Sequence, residues 1–192
     1  MTDKTVFDSA TEFEAVHPLS SEWSLWYTKP PAQGESWSDL LKELATVGTV
    51  EEFWGAYNAI PKVTELPKKS DYAVFRKGIR PEWEDPQNAK GGKWIYQGRG
   101  GPRGDMDEKW LNVLLGIIGG TLDVSDKVNG VVAMVRLPNT IKIALWVSGT
   151  HIDSTVEAAK FKELLGLTDD DRIEYAVHDA TRKRGSGNPP SI

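Results

Sequence analysis

Short apolar runs alternate with polar, Gly- or Pro-containing segments along the chain, and six of these runs predict β-strands. The clearest is R-I-E-Y-A-V-H near the end, in which apolar and polar residues alternate with a period of two. The link L-P-N-T between two of the runs is short enough for a hairpin, so their strands are expected to be antiparallel neighbours. The predicted strands are Glu22–Lys29, Tyr72–Arg76, Lys93–Gln97, Gly130–Leu137, Ile141–Ser148 and Arg172–His178.

Two segments repeat apolar residues at helical spacing and begin with a Ser or Thr that is followed three residues later by a Glu, the pattern of a capping box. One pair is Thr49 and Glu52. The other is Ser154 and Glu157, and its helix is expected to end near Gly166. The apolar positions are Val50, Phe53, Trp54 and Tyr57 in the first helix, and Val156, Ala159, Leu164 and Leu165 in the second.

A third helix is predicted between these two, and it is apolar nearly all round. Asp105 or Asp107 is expected to cap its start, and Gly119–Gly120 is expected to end it. A helix packed on a sheet needs only one apolar stripe, yet Leu111 and Leu115 lie off the stripe that the other apolar residues form. Either a neighbouring helix or another molecule is expected to cover these two leucines.

Three helices with a set of antiparallel strands predict an α+β domain in which the helices cover one face of a curved sheet. The length of 192 residues, with 39% hydrophobic and 27% charged residues, fits one folded domain. We expect that domain to span residues 17–181, between a flexible N-terminal tail (1–16) and a flexible C-terminal tail (182–192). The longest apolar stretch, V-L-L-G-I-I, is too short to span a membrane, and no secretory signal is expected.

The charge and the aromatic content narrow the class of ligand. The net charge is 23 − 28 = −5, whereas proteins that coat long nucleic acids are usually basic, so any nucleic-acid ligand is expected to be short and defined. The chain has 8 Trp against 5 Tyr and 5 Phe, more Trp than a core of this size requires, which predicts exposed aromatic platforms. Cysteine is absent, which excludes disulfides, thiol catalysis and Cys-based zinc sites.

No enzyme motif is complete in this sequence. None of the three histidines has a catalytic or metal-ligating partner at a recognisable spacing, and no nucleophile elbow, P-loop or H-E-x-x-H pattern is present. The Gly-rich stretch Gly98–Gly104 fails the dinucleotide-binding pattern and predicts a mobile loop. Glu82 and Glu84 resemble a glycosidase acid pair, but acid pairs at this spacing are common in solvated turns. The sequence therefore predicts no catalytic residue, no metal site and no cofactor.

Two tryptophans lie in polar loops rather than in apolar patterns. Trp83 stands in R-P-E-W-E-D-P, where prolines fix the backbone on both sides and Glu84 places a carboxylate beside the ring. Trp37 stands in G-E-S-W-S-D, after a pair of prolines. Two interpretations stay open from the residues alone: the rings are exposed platforms, or they pack on the core as loop anchors.

Seven blocks of sequence follow one another over most of the chain: H-P-L-x(3)-W-x-L-W-Y (His17–Tyr27), T-V-E-E-F-W (Thr49–Trp54), S-D-Y-x-V-F (Ser70–Phe75), R-P-E-W-E-D-x-x-N-A-K-G-G-K-W (Arg80–Trp94), W-L-x-x-L-L (Trp110–Leu115), G-V-V-x-x-V-R (Gly130–Arg136) and A-L-W (Ala144–Trp146). Together they closely resemble the eukaryotic translation initiation factor 4E family, whose members bind the 5′ cap of messenger RNA. Ser36–Leu41 and Ser70–Phe75 resemble the fungal branch most.

The resemblance implies a curved antiparallel sheet of about eight strands, backed by three helices on its convex face, with 7-methylguanosine bound on the concave side. It implies that Trp37 and Trp83 stack on the two faces of the methylated base. Glu84 would accept hydrogen bonds from N1–H and N2–H of the guanine, and Trp146 would contact the N7-methyl group. These residue types suit the roles, because an indole face attracts a flat cation by about 0.5–2 kcal/mol and a carboxylate can pair with two donors at once.

The resemblance also implies cationic ligands for the cap phosphates. A local basic rim on a protein of charge −5 fits a short triphosphate rather than a long RNA track. The implied phosphate ligands are Arg136 and Lys142, on the two hairpin strands, and Lys93. Four further cations in predicted loops are available to later phosphates or to the first nucleotides: Arg99, Arg103, Arg182 and Lys183.

A second binding surface is implied on the helical side. Family members bind a helical Tyr-x(4)-Leu-Φ peptide from the scaffold initiation factor 4G or from 4E-binding repressors that mimic it. Such a partner would cover the two leucines that lie off the stripe. Asn112 stands where an acidic residue is often found, and Ser186 lies near a regulatory phosphorylation site of animal members. The matching docking residues are His17, Pro18, Val50, Trp54, Leu111 and Leu115.

The resulting hypothesis is a non-enzymatic translation initiation factor, cytoplasmic and compatible with some nuclear presence, that binds capped mRNA and recruits it through a scaffold protein. One alternative is a carbohydrate-binding module, which also uses Trp platforms and acidic acceptors but has no need of Arg136 and Lys142. A second alternative is a cap-processing hydrolase, which needs a metal-binding carboxylate cluster or a catalytic His. No such group stands out in the sequence.

Overall fold

A computed structural model describes residues 16–31, 37–98, 105–137 and 140–178, except for the side chains of residues 37, 38 and 137. In chain order, the elements are β1 (Pro18–Thr28), α1 (Trp37–Leu40), β2 (Leu41–Thr49), α2 (Val50–Ala59), a 3-10 turn (Val63–Glu65), β3 (Asp71–Arg76), β4 (Gly92–Gln97), α3 (Met106–Ile118), β5 (Val128–Leu137), β6 (Thr140–Val147), α4 (Thr155–Leu164) and β7 (Glu174–Val177). None of the described helices is long and apolar enough to cross a membrane.

The described strands form one curved sheet of seven strands in the order β2-β1-β3-β5-β6-β4-β7, and every neighbouring pair is antiparallel. Irregular register in the β1–β2 and β5–β6 pairs marks positions where bulges increase the local twist. This confirms the α+β class with an antiparallel sheet and three longer helices. The described residues contain seven strands, where about eight were expected.

Side-chain alternation gives the sheet two different faces. On β5, Val131, Ala133 and Val135 belong to the core that packs against α2, α3 and α4, whereas Val132 and Met134 belong to a smaller cluster on the opposite face. The helix-facing core buries three tryptophans almost completely: Trp23, Trp94 and Trp110. Three of the eight tryptophans therefore pack in the core between sheet and helices. Among the described residues, the other face of the sheet carries none of the three longer helices and is available for a binding site.

All six predicted strands are present, and the L-P-N-T link joins antiparallel neighbours as expected. The pattern does not predict β2. Only Leu41 and Val47 of this strand are buried, because it lies at the edge of the sheet and pairs with β1 alone. An edge strand with so few buried positions lacks the alternation that would identify it.

The predicted start of α2 is confirmed, because the Thr49 hydroxyl accepts a hydrogen bond from the Glu52 amide at 3.1 Å. The Glu52 carboxylate, however, accepts from the Gly48 amide at 2.7 Å, one residue before the position that a capping box predicts. At the start of α3, Asp105 occupies the cap position without a side-chain cap bond. The carboxylate of Asp107 instead accepts from the amide and hydroxyl of Thr64, which ties the 3-10 turn to this helix.

The predicted capping box of α4 is wrong. The Ser154 hydroxyl makes no cap bond and instead accepts from Trp94 Nε1 at 2.9 Å and donates to the Thr150 carbonyl at 2.8 Å. The predicted apolar face is also partly wrong, because Val156 is exposed and Ala159 is exposed, whereas Leu165 is buried as expected. The buried side of the helix is formed by Glu157, Ala158 and Phe161.

Replacing Glu157 by methionine is expected to stabilise the fold. The side chain is fully buried, and neither carboxyl oxygen has a hydrogen-bond partner in the described part of the chain. An apolar side chain of similar size removes that desolvation cost, which we put at about 2 kcal/mol, or about 5 °C in Tm. Thermal unfolding measures the change, with Glu163→Met on the exposed side of the same helix as the control. A lower Tm for Glu157→Met than for the control would contradict the expectation.

Candidate functional site

A cleft of about 440 Å³ lies on the sheet face that the helices leave free. Its floor is apolar and comes from central strands, through Ala73, Val132 and Met134. Because side chains alternate along each strand, polar residues two positions further on project from the same face and form the walls. The cleft brings together five of the seven ligand-binding residues predicted from the sequence, namely Trp83, Glu84, Lys93, Arg136 and Trp146.

Trp83 and Glu84 lie in a loop whose backbone is held by hydrogen bonds from a buried asparagine. The fully buried Asn88 donates hydrogen bonds from Nδ2 to the carbonyls of Arg80 and Glu82, both at 2.8 Å. Asn129 on β5 in turn donates to Asn88 Oδ1 and to the Gln87 carbonyl, both at 2.9 Å. The two asparagines therefore fix this loop to the start of the central strand β5 without lining the cleft.

The loop leaves the two predicted ligand residues available. Trp83 is 47% exposed, which favours the platform interpretation over the loop anchor for this ring. The Glu84 carboxylate is exposed and has no hydrogen-bond or ion-pair partner in the described ranges. Its neighbour Glu82, by contrast, is ion-paired with Arg80 at 2.9 Å. The acid pair flanking Trp83 is therefore asymmetric, with one carboxylate neutralised and the other open to the cleft.

Cationic side chains also line the cleft. Arg136 donates two hydrogen bonds to the carboxylate of Asp71, one of them from Nη2 at 3.0 Å, which fixes the direction of its guanidinium. Burial lowers the pKa of the Lys93 ammonium, and the nearby charge of Arg136 lowers that pKa further. The carboxylate of Asp71 raises the pKa of Lys93, but the pKa stays below its usual value. The two cations against one carboxylate leave an excess of positive charge, which suits a phosphate group.

Trp146 forms a side of the cleft from β6. Its ring is mostly buried, meets Phe75 edge-on with centroids 5.3 Å apart, and lies 5.2 Å from Lys93 Nζ. Packing of this kind holds the indole in one orientation.

Of the other two predicted residues, Lys142 does not line the cleft and the Trp37 side chain is not described. Lys142 pairs in register with Met134 and therefore lies on the same sheet face, and its charge contributes to lowering the pKa of Lys93. Trp37 begins α1, but its side chain lies outside the described residues, so its pairing with Trp83 stays a prediction. Five other sequence candidates also lie outside the described residues: Arg99, Arg103, Arg182, Lys183 and Ser186.

The predicted docking residues lie on three elements at the helical side. Val50 donates its amide to the His17 carbonyl at 2.9 Å, which joins the start of β1 to the start of α2. The Glu51 carboxylate hydrogen-bonds to the His17 ring at 2.6 Å and accepts from the His17 amide at 3.1 Å, and these two bonds lower the pKa of Glu51 to about 2. The exposed apolar side chains there are Val50, Trp54 and Leu115; Pro18 is also exposed, and Leu111 is half-buried against the core.

Several residues that shape the site were not identified from the sequence. Asp71 and Asn88 lie within the blocks that carry the family resemblance, so the signal was present without an assigned role. Asn129 and His178 carry no local signal, because their partners come from distant strands. Among the described residues, no three or more His, Asp or Glu side chains are grouped so that they could hold a metal ion.

Comparison with known proteins finds a family model, a relative and solved structures that all belong to one family. The profile of a family described as "Eukaryotic initiation factor 4E" matches residues 18–190. Eukaryotic translation initiation factor 4E-2 of Schizosaccharomyces pombe is 48% identical over 182 residues, covering 93% of this chain and 74% of that protein. A crystal structure of Ascaris suum eIF4E-3 with an m7G cap is 34% identical, with a TM-score of 0.82, covering 93% of this chain and 98% of that chain. C. elegans eIF4E-3 in complex with the 4E-binding protein Mextli is 33% identical, with a TM-score of 0.80, covering 88% and 98%.

Proposed function

The chain belongs to the eukaryotic initiation factor 4E family, fungal type, and from this premise we propose that its cleft binds the 7-methylguanosine 5′ cap of messenger RNA. One observation carries the proposal: a single cleft is lined by an exposed indole, a carboxylate with no partner among the described residues, and a group of cations. A positively charged base linked to a triphosphate has the complementary pattern. A similar protein from Ascaris suum is known in complex with an m7G cap.

The methylated base is proposed to stack on Trp83, with Trp37 on its other face and Trp146 against the N7-methyl group. Methylation at N7 spreads a positive charge over the purine, and each indole face attracts such a flat cation by about 0.5–2 kcal/mol. Unmethylated guanine carries no such charge. The tryptophans therefore discriminate for the methyl group.

Glu84 is proposed to select guanine among the bases. Its open carboxylate can accept from N1–H and N2–H together, and adenine offers no such pair of donors. The cap phosphates are proposed to bind Arg136 and Lys93, with Lys142 further along the same face. Asp71 already orients the guanidinium of Arg136, so less side-chain entropy is lost when a phosphate binds.

The helical side is proposed to bind a Tyr-x(4)-Leu-Φ helix of a 4G-type scaffold or of a 4E-binding repressor. The exposed Val50, Trp54 and Leu115 supply an apolar surface, and apolar helix-in-groove recognition uses side chains of this kind. C. elegans eIF4E-3 is known in complex with the 4E-binding protein Mextli, which supports a protein partner for this family member. The site and the docking surface lie on opposite sides of the sheet, so both ligands can bind at once.

We further propose that the chain acts without enzymatic activity and in the cytoplasm, as suits a factor that delivers mRNA to the initiation machinery. The structure offers no specific support for the carbohydrate-binding alternative, because a neutral sugar makes no use of the cation group at Arg136 and Lys93.

Tryptophan fluorescence tests the proposal directly. Addition of 7-methyl-GTP is expected to quench the emission with an affinity about 100-fold higher than that of GTP, because two indole faces each favour the cationic base. Neutral oligosaccharides are expected to produce no quenching. Equal affinities for the two nucleotides would contradict cap recognition, and saturable quenching by an oligosaccharide would favour the alternative.

A further inference from the structure

The indole of Trp146 is backed by a histidine that the proposed mechanism does not use. The ring centroids of Trp146 and His178 are 4.0 Å apart with an interplanar angle of 34°, so the two rings are in close contact and tilted to each other. Both residues are only 8% exposed. The His178 amide donates to the Gly91 carbonyl at 3.0 Å, which fixes the backbone of the histidine beside the cleft strand β4.

The surroundings keep His178 an uncharged aromatic ring. Burial lowers the pKa of its imidazole, the positive charge of Lys93 lowers it further, and a hydrogen bond to the Gly92 backbone opposes both, so that the resulting pKa is about 4. The ring is therefore neutral at physiological pH. A neutral ring leaves the indole electron-rich, whereas an imidazolium in the same place would repel a cationic base.

Other side chains support the same indole less completely. Phe75 meets it edge-on at 5.3 Å, and Lys93 lies 5.2 Å from its centroid. Of the aromatic rings that contact the indole among the described residues, that of His178 lies nearest to it. Without the His178 ring, the Trp146 indole that is proposed to contact the N7-methyl group would be free to tilt.

We infer that His178 is a positioning residue that holds the Trp146 indole in place and thereby contributes to selectivity for N7-methylated guanine. The inference rests on the proposed function. It concerns a residue that does not line the cleft and that acts on the ligand through Trp146 alone.

The test compares His178→Ala with His178→Phe, which keeps a neutral aromatic face. Affinities for 7-methyl-GTP and GTP are measured for each variant. Because stacked pairs contribute modestly, His178→Ala is expected to weaken 7-methyl-GTP binding about tenfold and GTP binding much less, so that the ratio of the two affinities falls. His178→Phe is expected to restore most of the ratio. The matched control is His151→Ala, since His151 also packs on an aromatic ring, Tyr175 at 5.7 Å, away from the cleft.

A second measurement is independent of any ligand. The indole N–H signal of Trp146 in a ¹⁵N spectrum, assigned with Trp146→Phe, is expected to shift in His178→Ala and to stay in place in His151→Ala. An unchanged signal with an unchanged affinity ratio would overturn the inference. If the alanine variant does not fold, His178→Gln replaces it with the same expectations. If the wild-type protein fails to distinguish the two nucleotides, the proposed function falls. Nuclear Overhauser contacts between the Trp146 indole and Phe75, which are expected to change in His178→Ala and not in His178→Phe, still decide whether His178 positions the ring.

Discussion

Glu84→Ala is expected to weaken binding of 7-methyl-GTP by more than 100-fold while the fold stays intact. The carboxylate has no partner of its own in the described structure, so its removal breaks no internal contact. In the complex, however, it is proposed to accept two hydrogen bonds and to offset the charge of the base. Two charge-assisted bonds contribute about 3 kcal/mol or more, which corresponds to that loss. Fluorescence titration measures the affinity, and thermal unfolding confirms the fold.

Three controls make this expectation specific. Glu84→Gln keeps the size of the side chain but places an amide N–H₂ against a donor, so it is expected to lose nearly as much affinity. Glu163→Ala removes an acid from the exposed side of α4 and is expected to leave binding unchanged. The triphosphate of 7-methylinosine lacks the N2 amine. The wild type is expected to bind it more weakly than 7-methyl-GTP, whereas Glu84→Ala is expected to bind the two nucleotides with equal affinity. Retention of guanine preference in Glu84→Ala would refute the assigned role.

The local chemistry of the site could be predicted because it lies in contiguous sequence. Trp83 and Glu84 stand in a polar loop between two prolines, and the structure leaves both exposed at the rim of the cleft. Arg136 and Trp146 were assigned through the family resemblance, and the pairing of β5 with β6 places them on the same face as Val132. For Trp146, the residues alone favoured packing in the core.

The supporting contacts could not be predicted, because they depend on the order of strands in the sheet. Asn129 reaches Asn88, and His178 reaches Trp146, only because β4 lies between β6 and β7. Local propensity does not encode that order. The error at α4 has a similar cause: the apolar stripe was placed on Val156, while packing against the sheet buries Glu157 and turns Val156 to solvent.

Trp54→Ala is expected to weaken binding of a Tyr-x(4)-Leu-Φ peptide by at least about 30-fold and to leave binding of 7-methyl-GTP within about twofold. The Trp54 ring is 36% exposed on α2 and is held by edge-on contacts with Phe53 and Tyr57, at 5.2 and 5.9 Å, so it presents a rigid apolar surface. Central aromatic residues of protein interfaces cost about 2–4 kcal/mol when truncated, which is about 30- to 1,000-fold in affinity. Isothermal titration with a synthetic peptide measures the loss.

To show that the loss of peptide binding is specific to the docking surface, the control must be an exposed apolar residue that lies elsewhere on the protein. Ile152 is 71% exposed between β6 and α4, outside the predicted docking residues, so Ile152→Ala is expected to leave peptide binding unchanged. Leu115→Ala, on α3, is expected to weaken the peptide in the same direction as Trp54→Ala, because both helices are proposed to contribute to one surface. The cleft lies on the other side of the sheet from these helices, and truncation of an exposed ring leaves the core in place. Loss of 7-methyl-GTP binding in Trp54→Ala, with the peptide still bound, would show that the two surfaces have been assigned the wrong way round.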